Sequence, residues 1–221
     1  MNSKQYFKYF FNWTDLNASR LIATIFGIYG GFFGLEHGIG EVLQGNIITD
    51  GVRIYAYSAP GLPFPFGREP ALTIVPTYLI SGILTIFLGL IIMLWSLKMI
   101  NYKFGSLGLF SLSIILFLVG GGFGPFTTLI FASISSSMIN SKFYWWKRNI
   151  PLGIRTLLGK LCPWFTILFI LWIPVEIILG ICFRLGYPYP GYIFAYLFPI
   201  IMIINVLTGF AHDSIFEKLQ Q

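Results

Sequence analysis

Apolar residues fall along this chain in long unbroken runs, and the polar residues gather in the short stretches between them. Four runs stand out, at 21–45, 73–97, 161–183 and 192–210. Each is close to the roughly 20 residues that a helix needs to cross the hydrocarbon of a bilayer. The stretch 104–140 is apolar throughout but too long for one span, since a helix of that length would reach past about 50 Å. Its middle reads Gly120-Gly121-Gly122-Phe123-Gly124-Pro125, the strongest helix breaker in the chain. The pattern therefore predicts two short spans there, 104–121 and 125–139. The expected fold is an all-α polytopic transmembrane helix bundle with six spans.

The basic residues favour six spans over five. With six, eleven of the fourteen Lys and Arg residues share one face, and Arg53, Arg68 and Arg184 lie on the other. The positive-inside rule puts the eleven, and with them both termini, in the cytoplasm. A five-span reading divides the same residues six against eight and orients nothing.

Within this frame the chain reads as one membrane domain, 1–221. Segment 1–20 is an interfacial N-terminal stretch, with Tyr6, Phe7, Phe10 and Trp13 among Lys4 and Lys8. The Gly- and Pro-rich segment 46–70 is an outer loop. Segment 140–160 is a basic cytoplasmic loop, where Phe143-Tyr144-Trp145-Trp146-Lys147-Arg148 has the make-up of an aromatic belt followed by a stop signal.

Composition agrees. Of 221 residues, 56% are hydrophobic and 10% charged, where a soluble domain carries about a quarter charged residues. Mean hydropathy is +0.79. Nothing near the N-terminus reads as a cleavable signal peptide. The net charge of +6 reflects cytoplasmic loops facing membrane lipids and does not indicate nucleic-acid binding. Cys162 and Cys182 would stand about 30 Å apart on one helix, beyond disulfide reach, and neither has metal-site spacing.

Ionisable residues inside hydrocarbon are costly and mark function by default. There are four, Glu36, His37 and Glu41 on the first span and Glu176 on the fifth. Glu36 and Glu176 each lie about 22 Å along their spans, which places both in the outer half of the bilayer. Ala23, Gly27, Gly30, Gly34, His37, Glu41 and Gly45 share one stripe of the first helix. Small residues at that spacing admit a neighbouring helix, so Gly27, Gly30 and Gly34 are expected to pack against a helix of the bundle or of a partner. His37 and Glu41, one turn apart, are within hydrogen-bonding reach, and the plain alternative to a ligand site is a structural bond between them. Pro174 frees the carbonyl of Ile170 near Glu176, which suits a cation, a proton relay or a ligand's donor group. His212-Asp213 reads as a solvated helix end. No metal set and no cofactor motif is present; the glycine run lacks the Lys-Ser/Thr of a phosphate loop.

The stretches Gly31-Phe32-Phe33-Gly34-Leu35-Glu36-His37-Gly38-Ile39-Gly40-Glu41 and Leu118-Val119-Gly120-Gly121-Gly122-Phe123-Gly124-Pro125 resemble those of prokaryotic multi-pass membrane proteins with no assigned activity. That resemblance implies a prokaryotic cell membrane. The architecture is also similar to that of six-span substrate-binding subunits of vitamin transporters. The leading expectation is binding or transport of a small solute, cation or proton through an outward-facing pocket lined by Glu36, His37, Glu41 and Glu176. The alternatives are a membrane-embedded enzyme acting on a lipid-like substrate, which is the less favoured reading, and a structural subunit of a membrane complex.

Overall fold

A computed structural model describes residues 16–49, 51–56, 70–184 and 191–216. Most of segment 1–20, residues 57–69 of the expected outer loop, residues 185–190 and the side chain of Glu176 fall outside the described residues.

Seven helices make up most of the described chain. Helix α1 (Ala18–Gln44) leads through β1 (Arg53–Tyr55) and β2 (Pro70–Leu72) to α2 (Tyr78–Lys98). Then come α3 (Gly105–Leu118), α4 (Phe123–Ser137), the short α5 (Tyr144–Asn149), α6 (Leu152–Arg184) and α7 (Gly191–Phe216). The two strands pair antiparallel, with Arg53 opposite Leu72. Four helical stretches are long and apolar enough to cross a membrane: Ala18–Gln44, Tyr78–Lys98, Leu152–Trp172 and Tyr196–Phe216.

Helix boundaries follow local chemistry. Asn17 caps α1, its side chain accepting from the Arg20 amide at 2.8 Å, and Gly45 ends the helix at φ 82°. Helix α2 starts at Tyr78, five residues later than the apolar run, because 73–77 is non-helical and pairs elsewhere. Thr49 donates to the Pro76 carbonyl and Ile74 to that of Leu118. At the other extreme α6 runs 33 residues, starting nine before the expected span. Arg155 and Lys160 interrupt the apolar pattern without interrupting the helix, since both are good helix formers. At about 50 Å it outreaches the hydrocarbon, so one end must stand in the interface.

Polarity is arranged inside out. Helix α2 turns Ser81, Gly82, Thr85, Gly89 and Ser96 inward and leaves Ile80, Phe87 and Leu94 exposed, Phe87 at 61%. Water would not tolerate that surface; acyl chains do. Small inward residues in turn let helices approach to backbone contact. A Cβ on Gly38 would stand 2.7 Å from the Gly82 carbonyl oxygen, and one on Gly31 2.7 Å from that of Gly89. Two glycines seven apart on each antiparallel helix thus form the α1–α2 seam.

Helix α1 is buried on several sides. Beyond α2 it packs against α4 and α7, and Phe26 lies against Phe169 of α6 with ring centroids 4.2 Å apart. An aromatic ladder continues from Phe169 to Phe198 of α7 at 5.7 Å and on to Trp172 at 6.0 Å. Helices α6 and α7 are further tied by Thr166, whose hydroxyl donates to the Asn205 side-chain oxygen at 3.0 Å.

Candidate functional site

The glycine break between α3 and α4 closes over the polar end of α1. Gly120 and Gly122 have φ 116° and 77°, which turns the chain back within four residues. The absence of side chains lets the loop lie directly on α1. A Cβ on Gly120 would collide with the Glu41 carboxylate, and one on Gly122 with Nε2 of His37. The break read from the sequence and two of the candidate residues therefore form one site.

Its polar network is built from helix ends. Helix α3 stops at Leu118, leaving its last carbonyls without helical partners. The Val119 carbonyl accepts from the Ser81 hydroxyl at 2.6 Å and from the Thr85 hydroxyl at 2.8 Å. Since Ser81 donates there, the 2.9 Å contact with Thr73 makes Thr73 the donor to Ser81. Thr73 also bridges to Val119 through the backbone. Three hydroxyls and one helix end thus fix the loop against α2.

Glu41 sits in this setting fully buried, and neither carboxylate oxygen has a hydrogen-bond partner among the described residues. Ser81 stands beside it, but the serine proton is directed to Val119. The hydrogen bond expected between His37 and Glu41 does not form. His37 Nδ1 instead lies 3.1 Å from the Phe33 carbonyl and 3.3 Å from Glu36 Oε2. Both neighbours are acceptors, so Nδ1 carries a proton, and Nε2 is turned toward Gly122. Glu36 turns to this histidine, and its side chain is 16% exposed.

Glu176 lies in α6, with its side chain outside the described residues. The Ile170 carbonyl released by Pro174 is taken up by the Tyr29 hydroxyl at 2.7 Å. It therefore ties α1 to α6. Gly27, Gly30 and Gly34 meet Ser96, Leu129 and Leu116 of this same chain, so their face is filled from within. Among the described residues, no three His, Cys, Asp or Glu side chains come together as a metal set.

At the other end of α1 lies a cluster that the sequence did not reveal. His212 and Asp213 are buried, at 2% and 3% exposure. Asp213 accepts from the Ala18 amide at 2.7 Å and from the Ser19 amide at 2.8 Å, capping α1 from α7. A carboxylate on a helix N-terminus also meets the positive end of its dipole. His212 Nδ1 lies 3.2 Å from Asp213 Oδ1. The reading of this pair as a solvated end is thus overturned, because α7 runs on to Phe216 and brings both residues under α1. Asp213→Ala leaves two buried amides unsatisfied and should cost about 2 kcal/mol. Denaturant titration in mixed micelles measures it, and Asp213→Asn should recover part of the loss.

Inside-out polarity and four bilayer-length apolar helices define the class: a polytopic, all-α membrane protein. In comparisons with known proteins, no family model, no curated protein and no solved structure matches the chain.

Proposed function

We propose that the chain binds a small monovalent cation, a proton or an alkali ion, at Glu41 on the outward side of a six-span bundle in a cell membrane. The observation that carries this reading is the buried Glu41 carboxylate, both of whose oxygens lack a hydrogen-bond partner among the described residues. A carboxylate in such a place needs a positive charge beside it or a proton upon it, because an uncompensated charge in a low-dielectric interior is costly. Ser81 and the α3 terminus supply further oxygens, the ligands that hard cations take. A helix broken at membrane depth beside a carboxylate is also how transporters build ion sites. Glu36 and His37 form the continuation of the site, with Glu176 a further candidate.

Both termini are placed in the cytoplasm by the charge bias. Helices α3 and α4 have 14 and 15 residues, about 21 and 22 Å, short of the hydrocarbon thickness. Whether they cross fully or turn back inside the outer interface, they begin and end on the same side. The orientation of every other span is then unchanged. Epitope tags on both ends should react only after permeabilisation, and tags on opposite faces would refute the topology.

The site is tested with purified protein in liposomes. Proton release on titrating external pH at fixed sodium, and binding of radioactive sodium at fixed pH, separate the two cations. One of them should bind with a stoichiometry near one per chain and be lost by at least about tenfold in Glu41→Gln. Binding of neither cation, or equal binding by the variant, ends the reading.

A further inference from the structure

A groove on the far side of the molecule from Glu41 has features that the cation site does not use. Its walls are Trp145, Trp146, Ile150, Leu158, Ile204 and Leu207, and it encloses about 380 Å³ between α5, α6 and α7. Helix α5 is held in place at two points. Phe143, at φ 48°, is buried against Phe210 at 6.0 Å, and Trp146 lies edge-on to the same ring at 6.1 Å. That anchoring leaves Trp145 standing 66% exposed along one rim, with Leu207 41% exposed on another. The groove is thus held in place by packing and opens to the surface of the molecule.

Among the described residues beside it in sequence, every charged side chain is basic: Lys147 and Arg148 follow the two tryptophans, and Arg155 comes from the first turn of α6. No acidic residue occurs between Glu69 and Glu176. The Arg155 guanidinium is fastened to the carbonyl of Ile150, a groove residue, at 3.1 Å. Arg148 is exposed and makes no ion pair or side-chain hydrogen bond among the described residues. The nearby carboxylate of α7, Asp213, is turned to the amides of Ala18 and Ser19 and does not neutralise this face.

An apolar slot under a cluster of cations, at the level where tryptophans meet headgroups, matches one kind of molecule. We propose that the groove holds an acyl chain of an anionic glycerophospholipid, whose phosphate is bound by Arg148 with Lys147 and Arg155. A zwitterionic lipid fills the slot equally well but brings its own ammonium to the cations, so the headgroup sets the preference. The bound lipid would brace α5 against α6 and α7 and hold the basic loop at the membrane surface.

The test is native mass spectrometry of full-length protein extracted from vesicles of equimolar phosphatidylglycerol and phosphatidylcholine. Wild type should keep one lipid per chain through delipidation, with phosphatidylglycerol favoured by about fivefold or more, the factor expected from one to two surface cations. Arg148→Gln with Lys147→Gln should bring the ratio toward one. Leu158→Trp fills the slot without changing charge and should remove the retained lipid altogether. Equal retention of both lipids by wild type overturns the proposal without reference to any variant. Retention unchanged in Leu158→Trp overturns the groove as the site and leaves general surface attraction as the explanation.

Discussion

Gly38→Leu should leave almost no folded protein in detergent, while Gly124→Ala should be indistinguishable from wild type. The difference lies in what each new side chain would meet. At Gly38 a Cβ falls 2.7 Å from the Gly82 carbonyl oxygen and 2.9 Å from the Ile86 amide nitrogen. Both are backbone atoms of α2, so no rotamer change can yield. The helices would have to separate, and Gly31 opposite Gly89 would lose its contact with them. Overpacking at flexible side chains costs about 1–3 kcal/mol. Here the resisting atoms are two helix backbones, so a loss of about 3 kcal/mol or more is expected. The seven-residue spacing keeps both glycines on one face over two turns. Gly82→Leu should fail in the same way from the other helix. Nothing lies within 4 Å of a Cβ at Gly124, and exposed substitutions usually stay within about 0.5 kcal/mol. Monodispersity after extraction and thermal unfolding of the survivors measure both outcomes. A well-folded Gly38→Leu protein would mean that the seam is not what holds α1 to α2.

How much of this was legible in the sequence depends on the kind of signal. Apolar runs and the Gly120–Pro125 break located the helices, since backbone satisfaction in lipid leaves few alternatives to helix. Burial of the first helix on more than one side was also legible, because Glu36 stands off the stripe shared by the glycines, His37 and Glu41, and these cannot all face lipid. The seam partners Gly31 and Gly38 were not. They lie about 60° round the helix from the middle of the stripe containing Gly27, Gly30 and Gly34, and which glycines meet which helix depends on the partner's own glycines, Gly82 and Gly89. A search for the same seven-residue spacing in the next apolar run finds Gly82 and Gly89 but returns Gly27/Gly34 and Gly31/Gly38 alike. Asp213 was missed for a different reason. Its two partners are the amides of Ala18 and Ser19, nearly two hundred residues away, and a backbone amide carries no sequence signature. Asn205, a buried amide side chain inside an apolar run, was visible and should have been read as an interhelical tie. The Ile170 carbonyl shows the reverse case. Proline placement revealed that a group was released, but only the packing of α1 on α6 revealed that Tyr29 would take it.

Gly120→Ala combines two penalties that a double-mutant cycle can separate. One is conformational: φ 116° lies where a residue with a side chain is strained, at a cost of about 1–3 kcal/mol. The other is steric and local: the new methyl would fall on the Glu41 carboxylate, which must shift within a fully buried site to make room. Gly120→Ala alone should therefore destabilise by about 3 kcal/mol or more. Glu41→Ala alone removes a buried carboxylate but leaves a void beside Gly120, so its effect on stability should be small. In the double variant the methyl enters the space the carboxylate has left, and only the backbone strain remains. The two substitutions should therefore couple by about 1–2 kcal/mol, within the range for residues in contact. Unfolding of the four proteins in the same mixed micelles supplies the cycle. Additive effects would show that Gly120 is required for its backbone geometry alone and that the loop does not rest on Glu41. The same four proteins assayed for cation binding divide the outcomes further. Gly120→Ala should weaken binding by disturbing the loop over an intact carboxylate, whereas no Glu41→Ala protein should bind, however well the double variant folds. Recovery of stability without recovery of binding would then mark Glu41 as a residue kept for its ligand.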